Sequence, residues 1–205
     1  MPKITSIVTQ KNKNRVSVFL DDKFSFGIDL DNFFKFKLKV EQELSEEEIE
    51  KIKETSNKKK ILDNIIKFAM IRPRSEKEIV DWLKRRHIDV LIHRYVIKKL
   101  AGLKLINDLD FAKWWVEMRL SQGKSQRSMI YDLRSKGISV ETIKQVLSEV
   151  EIDEVKMAKD LINKKMYKWQ RFDEKIRRQK ISQYLLGKGF DWNVINNVVK
   201  FGIGE

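Results

Sequence analysis

The sequence has no cysteine, two prolines, eight glycines and two histidines among its 205 residues. Without cysteine there is no disulfide, no thiolate metal site and no thiol nucleophile. His87 and His93 stand six apart with no acidic pair at ligand spacing, too few for most histidine-based zinc sites. The scarcity of proline and glycine favours long helices over a turn-rich β sandwich. No segment approaches the roughly 18 uninterrupted apolar residues that a membrane helix needs. Residues 1–15 lack a basic stretch followed by an apolar one, so no signal peptide is expected. The expectation is a soluble, cytoplasmic protein with no membrane partner. What the chain does have is 41% hydrophobic residues under a surface rich in charge, at 36%. That is enough apolar material for a core and excludes a disordered chain. The length allows one ordinary domain or a short array of smaller units.

The formal net charge is +13, and it is unevenly placed. Residues 1–57 hold 10 basic and 11 acidic side chains, residues 58–104 hold 14 and 5, residues 105–153 hold 7 and 8, and residues 154–205 hold 12 and 6. Two basic blocks, of +9 and +6, therefore flank a neutral one. Concentrated like charge destabilises a folded chain unless a polyanion or an acidic protein relieves it, so the expected partner is anionic.

The first part reads as strands. Ile4, Ile7 and Val8 lead to the polar turn Lys11-Asn12-Lys13-Asn14. Val16, Val18 and Leu20 then alternate with Arg15, Ser17 and Phe19, and Asp21-Asp22-Lys23 turns the chain into Phe24, Phe26 and Ile28. A period of two bounded by turn residues predicts a small antiparallel meander of three strands. After a connecting segment, Ser45 with Glu48 has capping-box spacing, and an acidic first turn suits the helix dipole. A short helix to about Thr55 is expected there.

From Lys58 the pattern is helical and it repeats. Leu83 to Val90, Leu133 to Val140 and Leu185 to Trp192 each carry an apolar helical residue, then a basic or small turn, then His87, Gly137 or Gly189 where a left-handed residue is needed. An apolar residue follows to close the cap, and Asp89, Ser139 or Asp191 can cap the next helix. The offsets are 50 and 52 residues. A further helix precedes each stretch, over roughly 58–71, 108–121 and 154–168. The expected architecture is thus mainly α: a β meander and short helix over 1–57, then three-helix repeats over 58–104, 105–153 and 154–205, stacked as an array.

Catalytic chemistry is hard to find. Gly123-Lys124-Ser125 resembles the tail of a phosphate loop, but position 118 is Met where a second glycine is needed, and a helix rather than a strand precedes it. No serine sits in a nucleophile elbow, and Glu46-Glu47-Glu48 is explained by capping. Phe111, Trp115 and Met118 recur at spacings of four and three as a buried stripe, and Trp82, Trp169 and Trp192 are expected in the core as well. No enzyme activity and no cofactor are expected.

The basic residues are the functional candidates. Arg72 and Arg74 flank Pro73 before Ser75, the expected cap of a helix with Glu78 at capping-box spacing; Arg85 and Arg86 end that helix. Lys124 and Arg127 open the matching helix of the second repeat, which ends near Arg134 and Lys136. In the third repeat Lys164, Lys165, Arg177 and Arg178 belong to the densest run, and Lys188 falls at the position of Lys136. Arginine can pair bidentately with phosphate or carboxylate, whereas lysine supplies a point charge. Helix C-termini attract cations with no ligand present, which offers Arg86, Lys136 and Lys188 a purely structural role.

Leu105-Ile106-Asn107-Asp108, Phe111-Ala112, Trp115-Val116, Arg119, Gly123-Lys124 and Leu133 with Lys136-Gly137-Ile138 resemble the central signature of the RecX family. Arg74-Ser75, Glu78-Ile79 and Trp82-Leu83 on one side, and Lys188-Gly189-Phe190 on the other, are similar to its outer modules. The resemblance covers about residues 58–201, and the strand-rich start resembles an amino-terminal extension found in some members. It implies three tandem three-helix repeats in a curved, elongated molecule that binds the RecA–DNA filament and inhibits filament growth, ATP hydrolysis and strand exchange. A closed three-repeat array needs no partner, so a monomer is expected. Arg119 joins the basic residues above as a candidate contact to RecA or to single- or double-stranded DNA. The alternative is a stand-alone DNA-binding protein that uses its three-helix units in the manner of helix-turn-helix modules.

Overall fold

The computed structural model describes residues 1–201; the last four residues of the expected third repeat lie outside the described ones. The chain divides into two compact units, Met1–Ile71 and Arg72 onward.

The first unit opens with a three-stranded antiparallel sheet, β1 (Ile4–Thr9), β2 (Arg15–Leu20) and β3 (Lys23–Asp29), in sequence order. The alternation expected in β2 is realised: Val16, Val18 and Leu20 are buried while their neighbours are partly exposed. Leu20 pairs with Lys23, so Asp21 and Asp22 make a two-residue hairpin with φ of 47° and 64°. Positive φ at both positions matches the right-handed twist of the flanking strands, and aspartate tolerates it. Helix α1 (Leu30–Lys35) follows, within the segment expected to connect the sheet to the next helix. Asp29 caps it and is itself buried, with Asn32 donating to its second carboxylate oxygen.

Helix α2 runs without interruption over Glu46–Met70, where a short helix to Thr55 and a separate one from Lys58 had been expected. Ser45 and Glu48 form the capping box at its start. Thr55-Ser56-Asn57 are weak helix formers that compete for backbone hydrogen bonds, but here that competition is answered. Thr55 donates to the Lys51 carbonyl at 2.8 Å, and the buried Ser56 hydroxyl donates to the Gly27 carbonyl of β3 at 2.7 Å. With no proline or glycine to stop it, the helix passes through. Ile49 and Ile52 join the sheet residues in the unit's core.

The second unit is helical: α3 (Glu76–Lys84), α4 (Val90–Gly102), α5 (Asp108–Ser121), α6 (Gln126–Ser135), α7 (Val140–Ser148), α8 (Glu154–Trp169), α9 (Glu174–Lys188) and α10 (Trp192–Phe201). The helices α5, α6 and α7 share one core around Phe111, Trp115, Met129, Leu133 and Ile143. A second core, around Ile162, Trp169, Ile181, Leu185, Phe190 and Ile195, serves α8, α9 and α10. Trp82 and Trp169 are buried as expected, but Trp192 is 54% exposed. The cap places Phe190 in the core, so Trp192, the first residue of α10, is turned outward.

The recurring turn is the same structure three times. His87, Gly137 and Gly189 have φ of 53°, 82° and 93°. The next residue in each case returns its N–H to the carbonyl five residues back: Ile88 to Leu83 at 3.2 Å, Ile138 to Leu133 at 3.1 Å, Phe190 to Leu185 at 3.2 Å. This is the Schellman arrangement closed by an apolar contact. Asp89, Ser139 and Asp191 then accept hydrogen bonds from the first amides of the next helix. His87 shows that a left-handed residue need not be glycine.

Candidate binding surface

Seven of the basic residues singled out in the sequence, Arg72, Arg74, Lys124, Arg127, Lys136, Lys165 and Lys188, gather at two places where consecutive repeats meet. At the first joint the turn Lys136-Gly137, at the end of α6, lies on the start of α3. A Cβ on Gly137 would stand 2.9 Å from Lys77 Cβ, so the backbone approaches closely there. The Lys136 ammonium donates to Glu78 Oε1 at 2.7 Å, and Arg72 grips the same carboxylate bidentately, at 2.9 Å through each nitrogen. Arg74 lies 4.0 Å from Glu78 Oε2. Ser75 caps α3 through the Glu78 amide. The Glu78 side chain does not complete a capping box as its spacing suggested, because it is held by these three cations instead.

The second joint repeats this one a module later. The turn Lys188-Gly189, at the end of α9, lies on the start of α6, and a Cβ on Gly189 would stand 2.7 Å from Ser128 Cβ. Lys188 donates to the Gln122 carbonyl at 2.6 Å, Lys124 to the Gly187 carbonyl at 3.1 Å, and the Ser125 amide to the Lys188 carbonyl at 3.1 Å. Even the helix entries correspond. The first free amide of α3, at Glu76, donates to Asp108 of α5, and that of α6, at Gln126, donates to Glu154 of α8. Each carboxylate opens the first helix of the following module and sits where the partial positive charge of a helix N-terminus favours it.

The electrostatics of the two joints differ. Burial pushes the Glu78 carboxyl up, but hydrogen bonds from Arg72 and Lys136 outweigh that and hold it below the usual carboxylate range. Burial, with Arg72 beside it, lowers the Arg74 guanidinium. At the second joint Ser128 stands where Glu78 stands at the first. Burial pushes the Lys188 ammonium down, and Lys124 and Lys165 push it further in the same direction. Among the described residues no carboxylate lies within 4.0 Å of Lys124, Lys165 or Lys188. Lys165 instead rests over the Tyr184 ring, 4.2 Å from its centroid.

The candidate residues thus fall into distinct groups. Arg72, Arg74 and Lys136 are gathered on Glu78. Arg119 is 2.8 Å from Asp132 and lies over Trp115, a structural ion pair inside the second repeat. Arg177 donates to the Phe172 carbonyl just beyond α8, and Arg178 pairs with Glu174 on its own helix. Arg86 packs over Trp82 with its guanidinium 3.7 Å from the ring centroid. Arg85 and Lys164 are exposed. Lys124, Lys165 and Lys188 form the cluster without an acid, and Arg127 projects beside it, its side chain 79% exposed and 3.9 Å from Asp191. The sequence reading missed Tyr131, which is 74% exposed and stands one turn after Arg127. Its signal was phase: Met129 and Leu133 mark the buried stripe of α6, and Arg127, Tyr131 and Arg134 recur at four and three on another face. Among the described residues no group of three His, Asp or Glu side chains could hold a metal ion. Nor is any helix there long and apolar enough to cross a membrane.

Comparison with known proteins decides the family. Residues 2–45 match the regulatory protein RecX N-terminal domain, residues 107–147 the second three-helix domain of RecX, and residues 151–199 the third. A regulatory protein RecX of Bacillus velezensis is 36% identical over 199 residues, covering 96% of this chain and 76% of that one. The chain belongs to the RecX family. A Bacillus subtilis relative of the same description is 35% identical over 96% of this chain and 75% of its own length. A crystal structure of a regulatory protein RecX superposes with a TM-score of 0.66 at 28% identity, covering 97% of this chain and 98% of that one. The match at residues 2–45 extends the likeness beyond residues 58–201: the meander corresponds to the family's N-terminal domain.

Proposed function

We propose that the protein is a non-enzymatic cytoplasmic regulator that acts as a monomer on the RecA–DNA filament. It binds the filament through RecA protomers and single- or double-stranded DNA, and inhibits filament extension, ATP hydrolysis and strand exchange. The observation that carries this reading is membership of the RecX family along almost the whole chain. The charge distribution supports it, because a cluster of lysines with no acid of its own is stabilised by an anionic partner. Two contacts on one chain, each weak, also gain through effective concentration when they meet one filament.

The test is DNA-dependent ATP hydrolysis by RecA on single-stranded DNA, with the protein titrated in at two salt concentrations. Inhibition is expected at amounts well below those that saturate the free DNA. Inhibition that appears only when the DNA is saturated, and that fades steeply with salt as phosphate contacts do, would identify a stand-alone DNA-binding protein. No inhibition at stoichiometric amounts would end the regulatory reading.

A further inference from the structure

The two joints set the same kind of turn on the same kind of helix start, one residue apart in register, and differ in the side chains around it. Across the start of α3 the chain presents Glu76, Glu78 and Asp81, and the corresponding positions of α6 are Gln126, Ser128 and Tyr131. At the first joint Lys136 and Arg72 have Glu78, and Lys77 has Asp81 at 3.1 Å. At the second, the three acids are gone and the cations remain. The residues Arg127, Ser128, Tyr131, Gly187, Gly189 and Phe190 line a groove of about 430 Å³. Leu186 completes the lining, and the two glycines leave part of the groove's wall without side chains. Lys124 and Lys188 lie behind the lining residues: the Lys124 ammonium reaches the Gly187 carbonyl at 3.1 Å, and Lys188 stands between the two glycines in sequence. Two acids stand nearby, and each is engaged by a helix start: Asp191, whose other oxygen caps α10, and Glu154, which accepts from the Gln126 amide at 2.7 Å.

We propose that the second joint, and not the first, is a phosphodiester subsite for single-stranded nucleic acid. One phosphate lies against Arg127, with the Lys124 and Lys188 charges acting at longer range from behind the lining, and a base of the adjoining nucleotide stacks on Tyr131. The first joint displays the same design already filled, with the Glu78 carboxylate in the place of an external anion. Arg127 can fork a phosphate as Arg72 forks the Glu78 carboxylate, and the lysines add point charges as Lys136 does at the first joint. An exposed aromatic ring beside a basic groove is how single strands are held without sequence preference, and it requires an unpaired base. This inference deepens the filament reading and rests on it for its biological setting.

The experiment uses the full chain without RecA and an oligothymidylate carrying one 2-aminopurine, whose fluorescence falls when it stacks on an aromatic ring. Tyr131→Ala is expected to weaken binding by roughly 5- to 150-fold and to abolish the change in fluorescence, while Tyr131→Phe retains both. Arg127→Ala should lower the slope of log affinity against log salt by about 0.7. Lys77→Ala, the corresponding change at the first joint, should leave affinity within about twofold. Far-ultraviolet circular dichroism and a thermal melt establish that each variant is folded. Undetectable binding by the wild-type chain, equal effects of Tyr131→Ala and Tyr131→Phe, or equal losses from Lys77→Ala and Arg127→Ala would overturn the site. Because RecA is absent, those outcomes bear on this groove alone, and the ATP hydrolysis assay judges the regulatory reading separately.

Discussion

The first and second joints are one structure with two electrostatic endings. In both, a lysine and a left-handed glycine end one module's middle helix and rest on the start of the preceding module's middle helix. In both, the first residue of the next module's leading helix caps that start. At the first joint Glu78 absorbs the charge of Lys136 and Arg72; at the second Ser128 leaves Lys188 to a backbone carbonyl, beside Lys124 and Lys165. A recurring turn therefore brings a lysine to each joint, and the acids on the facing helix start decide whether its charge is consumed inside the molecule or offered outside it. Counting basic residues along the chain cannot see this difference.

The largest effect is expected from breaking what the joints share. Gly189→Ala places a Cβ 2.7 Å from Ser128 Cβ and 2.8 Å from Ser125 Oγ, at a φ of 93°. Left-handed strain of about 1–2 kcal/mol adds to overpacking of about 1–3 kcal/mol. A loss of about 2–5 kcal/mol should appear as a lower midpoint in chemical denaturation. Gly137→Ala meets Lys77 Cβ at 2.9 Å, a looser contact than at Gly189, and its second contact, Lys77 Cδ at 3.0 Å, can rotate away, so it should lose less. An equal loss at both glycines would show that the second joint is no tighter than the first.

Next in size is a change that makes the first joint resemble the second. Glu78→Ala removes the acid shared by Arg72 and Lys136 and leaves Arg74 beside them. With the Glu78 side chain 11% exposed, the pair lies between surface and interior, and about 2 kcal/mol of stability should be lost. The same carboxylate gives a pH signature. Its folded form holds a proton less tightly than the unfolded chain does. Its contribution is therefore complete above the unfolded carboxylate's range and is lost as pH falls through its lower folded value. The stability difference between wild type and Glu78→Ala should shrink along that descent, and a difference that stays constant with pH would remove Glu78 from its place as the acid of the joint.

Much of the fold was legible because its signals are local. The period of two in β2, the Ser45 and Glu48 box, and the three left-handed turns at His87, Gly137 and Gly189 each depend on residues within one or two turns of one another. What escaped depended on distant partners. Thr55-Ser56-Asn57 reads as a break until Gly27, 29 residues earlier, takes the Ser56 hydroxyl. Glu78 reads as a capping box until Lys136, 58 residues later, takes its carboxylate. The same holds for the candidate surface: basic residues were visible one by one, but which of them are spent internally is set by acids contributed from other modules. Tyr131 was out of phase with its own helix's buried stripe, a local signal that went unused.

The smallest effect, and the sharpest for the comparison, comes from giving the second joint the acid that it lacks. Ser128→Glu puts a carboxylate at the third position of α6, where Glu78 stands on α3, on the residue that meets Gly189 beside Lys188. A partly exposed pair of this kind adds under about 1 kcal/mol. The gain has a direction in pH. Burial, then Lys124 and Lys165, depress the Lys188 ammonium in the wild-type fold, so its charged form costs stability below its folded titration and that cost fades as pH rises through it. The added carboxylate offsets a penalty present at neutral pH, and the advantage of Ser128→Glu should narrow toward alkaline pH. Binding should move the opposite way, because the anion site is then filled by the chain itself. Affinity for the 2-aminopurine oligonucleotide should fall by at least the tenfold that a lost charge-assisted contact of about 1.5 kcal/mol represents. A variant that gains stability yet binds the oligonucleotide as well as wild type would separate the lysine cluster from the groove.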